Sequence, residues 1–459
     1  MAVSLPDDTL LEIFVRVNDA ATLFRCAAAC WHWRHLIVDP SFLRCMWPDQ
    51  SGAASFAAFF NMQRHRDQGA KVLVPTPWSP LGRGRRAISS FVHNVPSSLL
   101  YRAAPLVCRR GLLLVHLLPP RGANHSWVDR LAVCNLLVGR CDLLPPLMDE
   151  LMGLCPYDHH GCAVLSGDDC RSGDGEQSPG STSFYKVIII TTGRDPLHGL
   201  KFDVHTFSCG DESWSMHTKC FGDTIDSNTI GSLCQTDAIV HQGAAHWLFR
   251  SWNAQCFCLV KLEDARSGDI SFTRLPIPIM HAEDRPCLGL TTTQGALSVL
   301  RMQEAASSKL EIWRQQEEHD GTSQWLCTDT VELIQPWRKV TEERDMLYIL
   351  GEKYGKLLVS DRRRRVYLAD LETGTVEAVA DWHSLHPNIP LDVVPLEMDW
   401  AAFFLSRLGS ASESSFPHPR PAGEAAPRRR RRHRGRGRRK TRSRGEATDE
   451  GKELNSSAW

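Results

Sequence analysis

The sequence lacks long apolar runs. Its strongest, "GLLLVHLL" and "KVIII", fall far short of the ~18 residues a membrane-spanning helix needs. The N-terminus, "MAVSLPDDTLLEIF", has no basic n-region and carries two early acids, so a secretory signal peptide is not expected. No Cys-x-x-Cys pair occurs among the 16 cysteines, and their spacing is irregular, so neither a disulfide framework nor a zinc ribbon is indicated. Reduced, largely buried thiols are the expectation. H-E-x-x-H, G-x-S-x-G and the phosphate-binding G-x-x-x-x-G-K-[ST] are all missing. "GEKYGKL" has neither the four-residue gap nor the hydroxyl residue of the last. The nearest metal candidate is "CPYDHHGC", Cys155 to Cys162, with Cys170 beyond it. Its spacing matches no structural zinc pattern, so no metal and no cofactor are expected. Cys256 and Cys258 alternate on a predicted strand, which places their thiols on one face.

Charge is balanced in total and lopsided in place. The 53 basic and 53 acidic residues cancel, yet residues 428–444, "RRRRRHRGRGRRKTRSR", hold twelve Lys/Arg and no acid. Residues 1–427 carry 40 basic and 49 acidic residues, a net charge of −9. The segment from 410 onward is poor in apolar residues and rich in Pro, Ser, Glu and Arg, so a disordered basic tail is expected over 410–459. Arg428, Arg429, Arg430, Arg431, Arg432, Arg438, Arg439 and Lys440 form a candidate nuclear-localisation patch. Weak, non-specific nucleic-acid contact is the other use of such a run. The basic run holds no aromatic on which a base could stack.

Near the N-terminus the periodicity is helical. Leu10, Ile13, Phe14 and Val17 fall at i, i+3, i+4 and i+7, with Asp7 and Asp8 at the favourable positive end. Asp19 is a predicted N-cap for a second helix carrying Leu23, Cys26, Ala27 and Cys30, continued by Trp33 and Ile37. "DPSFL" starts a third, with Asp39 as N-cap and Pro40 at the first helical position. Three short helices in some 40 residues cannot hide this many large apolar side chains, so part of the surface is expected to face a partner.

The string "LPDDTLLEIFVRV…LFRCAAACWHWRHLIVDPSFL" resembles an F-box. Leu-Pro plus acid, L-x-x-I, a second-helix Leu, small residues ending in Cys, W-R and D-P-x-F recur in order over roughly 40 residues. Trp31 stands where a polar or basic residue is commoner. The resemblance implies docking on the Skp-type adaptor of a cullin-RING ubiquitin ligase. It marks Leu5, Pro6, Leu10, Ile13, Leu23, Cys30, Trp33 and Ile37 as adaptor-binding residues.

Residues 105–380 contain a diffuse repeat. Apolar runs ending in turns can be anchored at Val133, Val204, Leu259, Ile312 and Tyr367, at intervals of 71, 55, 53 and 55. Removing the 17-residue loop-like stretch 167–183 from the first interval brings the period close to 54. A second run, usually led by Gly, precedes each anchor. Units of about 50 strand-rich residues read as propeller blades of kelch-like length. Six blades are predicted, within five to seven. "KVLVPTPW" is an earlier candidate strand, and "PLDVVPLEMDWAAFFLSRLG" either closes the ring or forms a final helix.

The predicted architecture is thus a small all-α F-box over 1–48, a linker over 49–70 and an all-β propeller over 71–409 with a flexible insertion at 167–183. The disordered basic tail of 410–459 follows. The whole resembles plant F-box proteins with an F-box-associated β-propeller, the grass type in particular. That resemblance implies a non-catalytic substrate receptor of an SCF-type ligase, its F-box on the adaptor and through it on cullin and RING subunits, its propeller on an unknown target protein. The competing reading is a nucleic-acid-associated propeller scaffold acting through the Arg-rich tail. An intracellular site, nuclear or cytoplasmic, is expected, with no membrane partner.

Overall fold

A computed structural model describes residues 5–409, apart from 18, 48–55, 63–71, 77–78, 82–85, 102, 118–129, 148–159, 168, 171–183, 196–198, 222–230, 234–236, 252–255, 265–268, 278–287, 293–294, 303–308, 318–322, 335–346, 354, 362–364 and 381–391. The basic patch from Arg428 to Lys440, the tail around it and most of the 167–183 insertion lie outside the described residues. No described helix is long and apolar enough to cross a membrane.

Four helices open the chain: α1 (Asp7–Val15), α2 (Ala20–Ala29), α3 (Trp31–Ile37) and α4 (Pro40–Met46). Asp19 caps α2 by accepting from the Thr22 amide at 2.8 Å, and Asp39 caps α4 with Pro40 at its first position. The count differs from the three predicted because the chain breaks at Cys30. That residue is fully extended (φ −155°, ψ 156°), and its Sγ accepts from the Trp33 amide at 3.3 Å, starting a new helix. The 30, 33, 37 spacing runs unbroken across the break, so periodicity could not reveal it.

Six antiparallel sheets follow, which make a six-bladed propeller. Blades 2 to 6 lie within 103–143, 160–221, 231–275, 288–332 and 348–380. Their first strands are Ala103–Arg109, His160–Ser166, Ile239–His241, Leu288–Thr291 and Tyr348–Lys353, and they meet around the ring axis, the second strand of blade 4 making the contact to blade 5. Blade 4 has five strands, Gly231–Leu233 and Ile239–His241 sharing one side of Ala244–Ser251. All five repeat anchors, Val133 to Tyr367, sit on the next-to-outermost strand of their blades. The ~54-residue period was therefore one structural position recurring.

Blade 1 joins the two ends of the ring. Its innermost strand, Asp392–Glu397, comes from the far end of the chain and pairs with Phe56–Met62, Val394 opposite Phe60. Val72–Pro75 and Arg86–Ala87 complete the sheet. The predicted linker 49–70 therefore holds a central strand, in which Ala57, Ala58, Phe59 and Phe60 are all buried. "FAAFF" has no alternation to mark it as a strand, and its partner lies some 330 residues away, so nothing local exposed it. The stretch 391–409 does both things foreseen for it. It closes the ring and then forms a helix, Trp400–Phe404, capped by Asp399.

That C-terminal helix seats the N-terminal helices on the ring. Phe24 of α2 stacks on Phe404 at 4.4 Å and meets Phe403 edge-on at 5.4 Å, while Trp47 lies 5.0 Å from Phe404. The Ala20 amide donates to the Pro80 carbonyl of blade 1 at 2.7 Å, and the Arg34 guanidinium donates to the Leu408 carbonyl. One continuous apolar core runs from Leu10, Leu23 and Ile37 through Phe60 and Leu396 to Cys134 and Phe404. The helices and blades 1 and 2 fold on a shared core, so the helical module is no bead on a flexible string.

Arg407 locks the seat from below. It donates to the carbonyls of Leu137 (2.8 Å), Phe91 (2.6 Å) and Leu136 (3.1 Å) and lies over the Phe403 ring. Its guanidinium rests on Gly139, which has φ +76°, and a Cβ there would stand 2.5 Å from the Arg407 nitrogens. Gly139→Ala is expected to cost roughly 1–2 kcal/mol in backbone conformation alone, and more through the displaced guanidinium. Denaturant midpoints of Gly139→Ala, Arg407→Gln and the double variant will check this. The double should cost clearly less than the two singles added together, because both disturb one contact.

Candidate functional site

The sequence marks two places for function, the N-terminal helices and the basic run 428–444, of which the first lies among the described residues. On α1, Leu10 and Phe14 turn inward; on α2, Ala20, Leu23 and Ala27; on α3, Ile37. The opposite surface is apolar in a way a solvated helix face is not. Leu5 is 50% exposed, Ile13 44%, Val15 40% and Trp31 56%. They belong to α1, its approach and the adjacent α3, which are tied together by His32 Nε2 and Asp7 Oδ1 at 2.9 Å and by Phe14 edge-on to Trp33 at 5.6 Å. Trp31 stacks flat on His35, rings 5.5 Å apart and 7° from parallel, which holds the indole in the open. Large apolar side chains fixed outward on rigid, adjacent helices are the anatomy of a protein-binding surface.

The eight residues marked from sequence divide into groups. Leu5 and Ile13 face outward, and Pro6 is exposed at the start of α1. Cys30 is exposed and caps α3. Leu10, Leu23 and Ile37, marked as contact residues, are buried in the shared core instead of lying on the surface. Trp33 is half-buried against Phe14 and braces α1 on α3. The large exposed apolar side chains of these helices outside the eight are Trp31 and Val15. Helix geometry carried the signal for Trp31. Two residues are ~200° of helical rotation, so if Trp33 and Ile37 face in, Trp31 must face out.

The ring interior holds ionisable groups on the inner strands. Lys353 Nζ lies 3.5 Å from Glu397 Oε2, and the Cys108 thiol donates to the Glu397 carbonyl at 3.5 Å. Burial raises the Glu352 pKa, against the Thr291 hydroxyl and the Gly355 amide, which donates to it at 2.6 Å. Burial likewise raises Asp237, with Lys353 opposing. Lys353 thus acts on three acids, Glu352, Glu397 and Asp237, and its ion pair with Glu397 ties blade 6 to blade 1. Residues 155–159 of "CPYDHHGC" lie outside the described residues; His160 and Cys162 are buried on the inner strand of blade 3. Among the described residues, no group of three His, Cys, Asp or Glu side chains could hold a metal ion. Cys256 and Cys258 do share a face, their sulfurs 3.8 Å apart in the core.

Two side chains outside this set report on acid stability. Burial, reinforced by Lys261 and His241, lowers the pKa of His246 to about 4. Asp169, pushed up by burial but held by Arg109 at 2.6 and 2.8 Å and by Ser166, falls to about 2. On acidification the unfolded chain takes up the histidine proton first, so about 3 kcal/mol of stability is lost between pH ~6.5 and ~4. The Arg109–Asp169 contribution, present above pH ~4, is lost between ~4 and ~2, about 2 kcal/mol. Urea melts across pH should show both limbs, and His246→Gln should shrink the upper one, leaving the part that His205 and His241 contribute because burial lowers their pKa as well.

Residues 2–47 match the F-box-like family. A search of curated proteins found no match. Among solved structures the chain is similar to AztD of Citrobacter koseri, with 13% identity over 74% of each chain and a TM-score of 0.28. It is similar to dipeptidyl peptidase 4 of Porphyromonas gingivalis, with 9% identity over 73% of this chain and 54% of that one and a TM-score of 0.33. It is also similar to α-L-arabinanase of Penicillium chrysogenum, with 10% identity over 64% and 92% and a TM-score of 0.34. At such scores none of these likenesses bears on what the chain does. The chain thus carries an F-box-like helical module followed by a six-bladed β-propeller.

Proposed function

We propose that this chain is a substrate receptor of an SCF-type cullin-RING ubiquitin ligase. The observation that carries the reading is the exposed apolar face of α1 and α3, on an F-box-like module whose other side is welded to a closed propeller. The outward face docks the Skp-type adaptor and, through it, the cullin and RING subunits. The propeller presents a target protein. The chain makes and breaks no bonds; it holds the target near a conjugating enzyme, so its contribution is effective concentration and orientation. A rigid seam suits this work, because a target on a fixed arm samples fewer unproductive positions than one on a flexible linker.

The resemblance of the F-box and of the closing "LEMDWAAFFLSRLG" supports kinship with plant F-box proteins of the grass type. The Arg-rich run 428–444 serves nuclear import, so the receptor works in the nucleus as well as the cytoplasm. Co-purification of the full chain with a Skp-type adaptor is the test. Recovery of the adaptor supports the reading. Failure to bind it, with salt-sensitive RNA binding that survives loss of residues 1–48, would replace it with a nucleic-acid scaffold. Deleting residues 420–459 should leave adaptor binding unchanged and move a fluorescent fusion out of the nucleus. An unchanged distribution would end the import reading alone.

A further inference from the structure

Blade 2 ends in a hairpin, Arg130–Asn135 against Arg140–Leu143, in which Cys134 stands directly opposite Cys141. Both thiols are free and buried, with their sulfurs 3.4 Å apart. The pairing site is of a particular kind. Just beyond it the Leu144 amide donates to the Leu131 carbonyl at 2.9 Å. Bonded and open pairs alternate along an antiparallel ladder, so 133–142 and 135–140 take the bonded positions and Cys134–Cys141 the open one. The Cys141 backbone agrees. Its N–H points away from the partner strand and donates to Asn94 Oδ1 at 2.7 Å, and its carbonyl accepts from Asn94 Nδ2 at 3.0 Å.

An open pair brings the Cα atoms to about 4.5 Å, within the ~4.4–6.8 Å that a disulfide spans. Closing the bond needs side-chain rotation and no change of register. The Cys256–Cys258 pair supplies a contrast inside the same molecule. Its sulfurs are 3.8 Å apart, but the residues lie two apart on one strand. Their Cα atoms are then ~6.8 Å apart and their Cβ bonds run parallel, which a disulfide does not tolerate. Sulfur separation alone does not distinguish the pairs; strand geometry does.

We propose that Cys134 and Cys141 form a redox latch, closed to a disulfide by a peroxide, on the hairpin that seats the C-terminal helix. The Cys134 S–H donates to the Cys141 sulfur, which lowers the Cys141 pKa and makes it the first thiolate. That thiolate attacks one oxygen of hydrogen peroxide; the S–O bond forms, the O–O bond breaks and hydroxide leaves to take up a proton. Cys134, giving up its proton, then attacks the Cys141 sulfur; the S–S bond forms, the S–O bond breaks and water leaves. The two electrons pass from the two thiols to the peroxide, and an external dithiol reverses the reaction. Cys141 lies on the outermost strand of its blade, so fraying of a single edge strand admits an oxidant the size of water.

Place gives the latch its consequence. The turn between the two cysteines carries the Leu136 and Leu137 carbonyls that hold Arg407. A bond across the base of that turn stiffens the seat beneath the N-terminal helices, whatever those helices bind. The full chain is treated with hydrogen peroxide under native conditions, alkylated and mapped by mass spectrometry. The expected product is a Cys134–Cys141 cross-linked peptide pair, reversed by dithiothreitol, with Cys256 and Cys258 unlinked to each other. Cys141→Ala, or Cys134→Ala should that variant fold poorly, abolishes it. Hydrogen exchange at residues 136–139 should slow at least ~3-fold on oxidation of the native chain and not in the variant. Free Cys134 and Cys141 after exposed Cys30 and Cys209 have oxidised would overturn the proposal. So would a Cys256–Cys258 bond formed in preference, or unchanged exchange at the turn.

Discussion

Phe404→Ala is expected to lower the free energy of unfolding by about 3–5 kcal/mol, the usual cost of deleting a fully buried aromatic ring. The ring is sealed from solvent and touches Phe24 and Trp47, both from the N-terminal segment. Its loss removes more than volume, because it is the piece of the C-terminal helix on which α2 rests. Denaturant unfolding followed by tryptophan fluorescence measures the total. A cycle with Phe24→Ala isolates the pair, for which a coupling of roughly 0.5–1.5 kcal/mol is expected. Hydrogen exchange should show α1 to α4 opening well below the cost of global unfolding in the variant, while blades 4 to 6 keep their protection. Additive single variants and unchanged helix protection would mean the helices stand on their own core.

Trp31→Ala should produce the reverse pattern, an interaction defect on an intact fold. The indole is more than half exposed, so its removal leaves the melting temperature essentially unchanged. If it seats in the adaptor as an aromatic anchor, affinity falls at least ~10-fold, about 1.4 kcal/mol. Ile13→Ala and Leu5→Ala should act in the same direction with smaller effect. Trp33→Ala belongs to the other class. It undercuts Phe14 and loosens α1 from α3, so it should lower stability by about 2 kcal/mol and weaken adaptor binding only through that loss. Calorimetric affinity beside thermal melting separates the two. Wild-type affinity in Trp31→Ala would move the docking surface elsewhere, and an unperturbed melt in Trp33→Ala would show that this ring is no brace.

Much of this was open to a reader of the linear chain, for local reasons. Asp19 and Asp39 cap helices because a carboxylate two or three residues ahead of an amide satisfies it wherever the remainder folds. The propeller was legible because one blade is one supersecondary unit, and repeating it stamped a period near 54 on residues 133 to 367. The candidate site was half legible. A set of apolar residues at helical spacing says that a face exists, but Leu10, Leu23 and Ile37 point inward and Ile13 and Trp31 outward, while Val15 is exposed on the opposite flank of α1 from Ile13. Choosing the free face requires knowing what covers the opposite one.

What the sequence alone determined, then, was a set of local units: capped helices, recurring blade strands, a basic run with no aromatic within it. Tertiary structure decided how the ends of the chain meet. The strand at 56–62 became central to a sheet through a partner at 392–397, and the helix at 400–404 became the floor under α2. The helical module and the ring thereby came to share one core. These contacts join segments more than 300 residues apart. The residues that make them, Phe24, Phe60, Val394 and Phe404, are ordinary apolar side chains that carry no mark of their partner, because burial rewards apolar surface without regard to where in the chain it comes from.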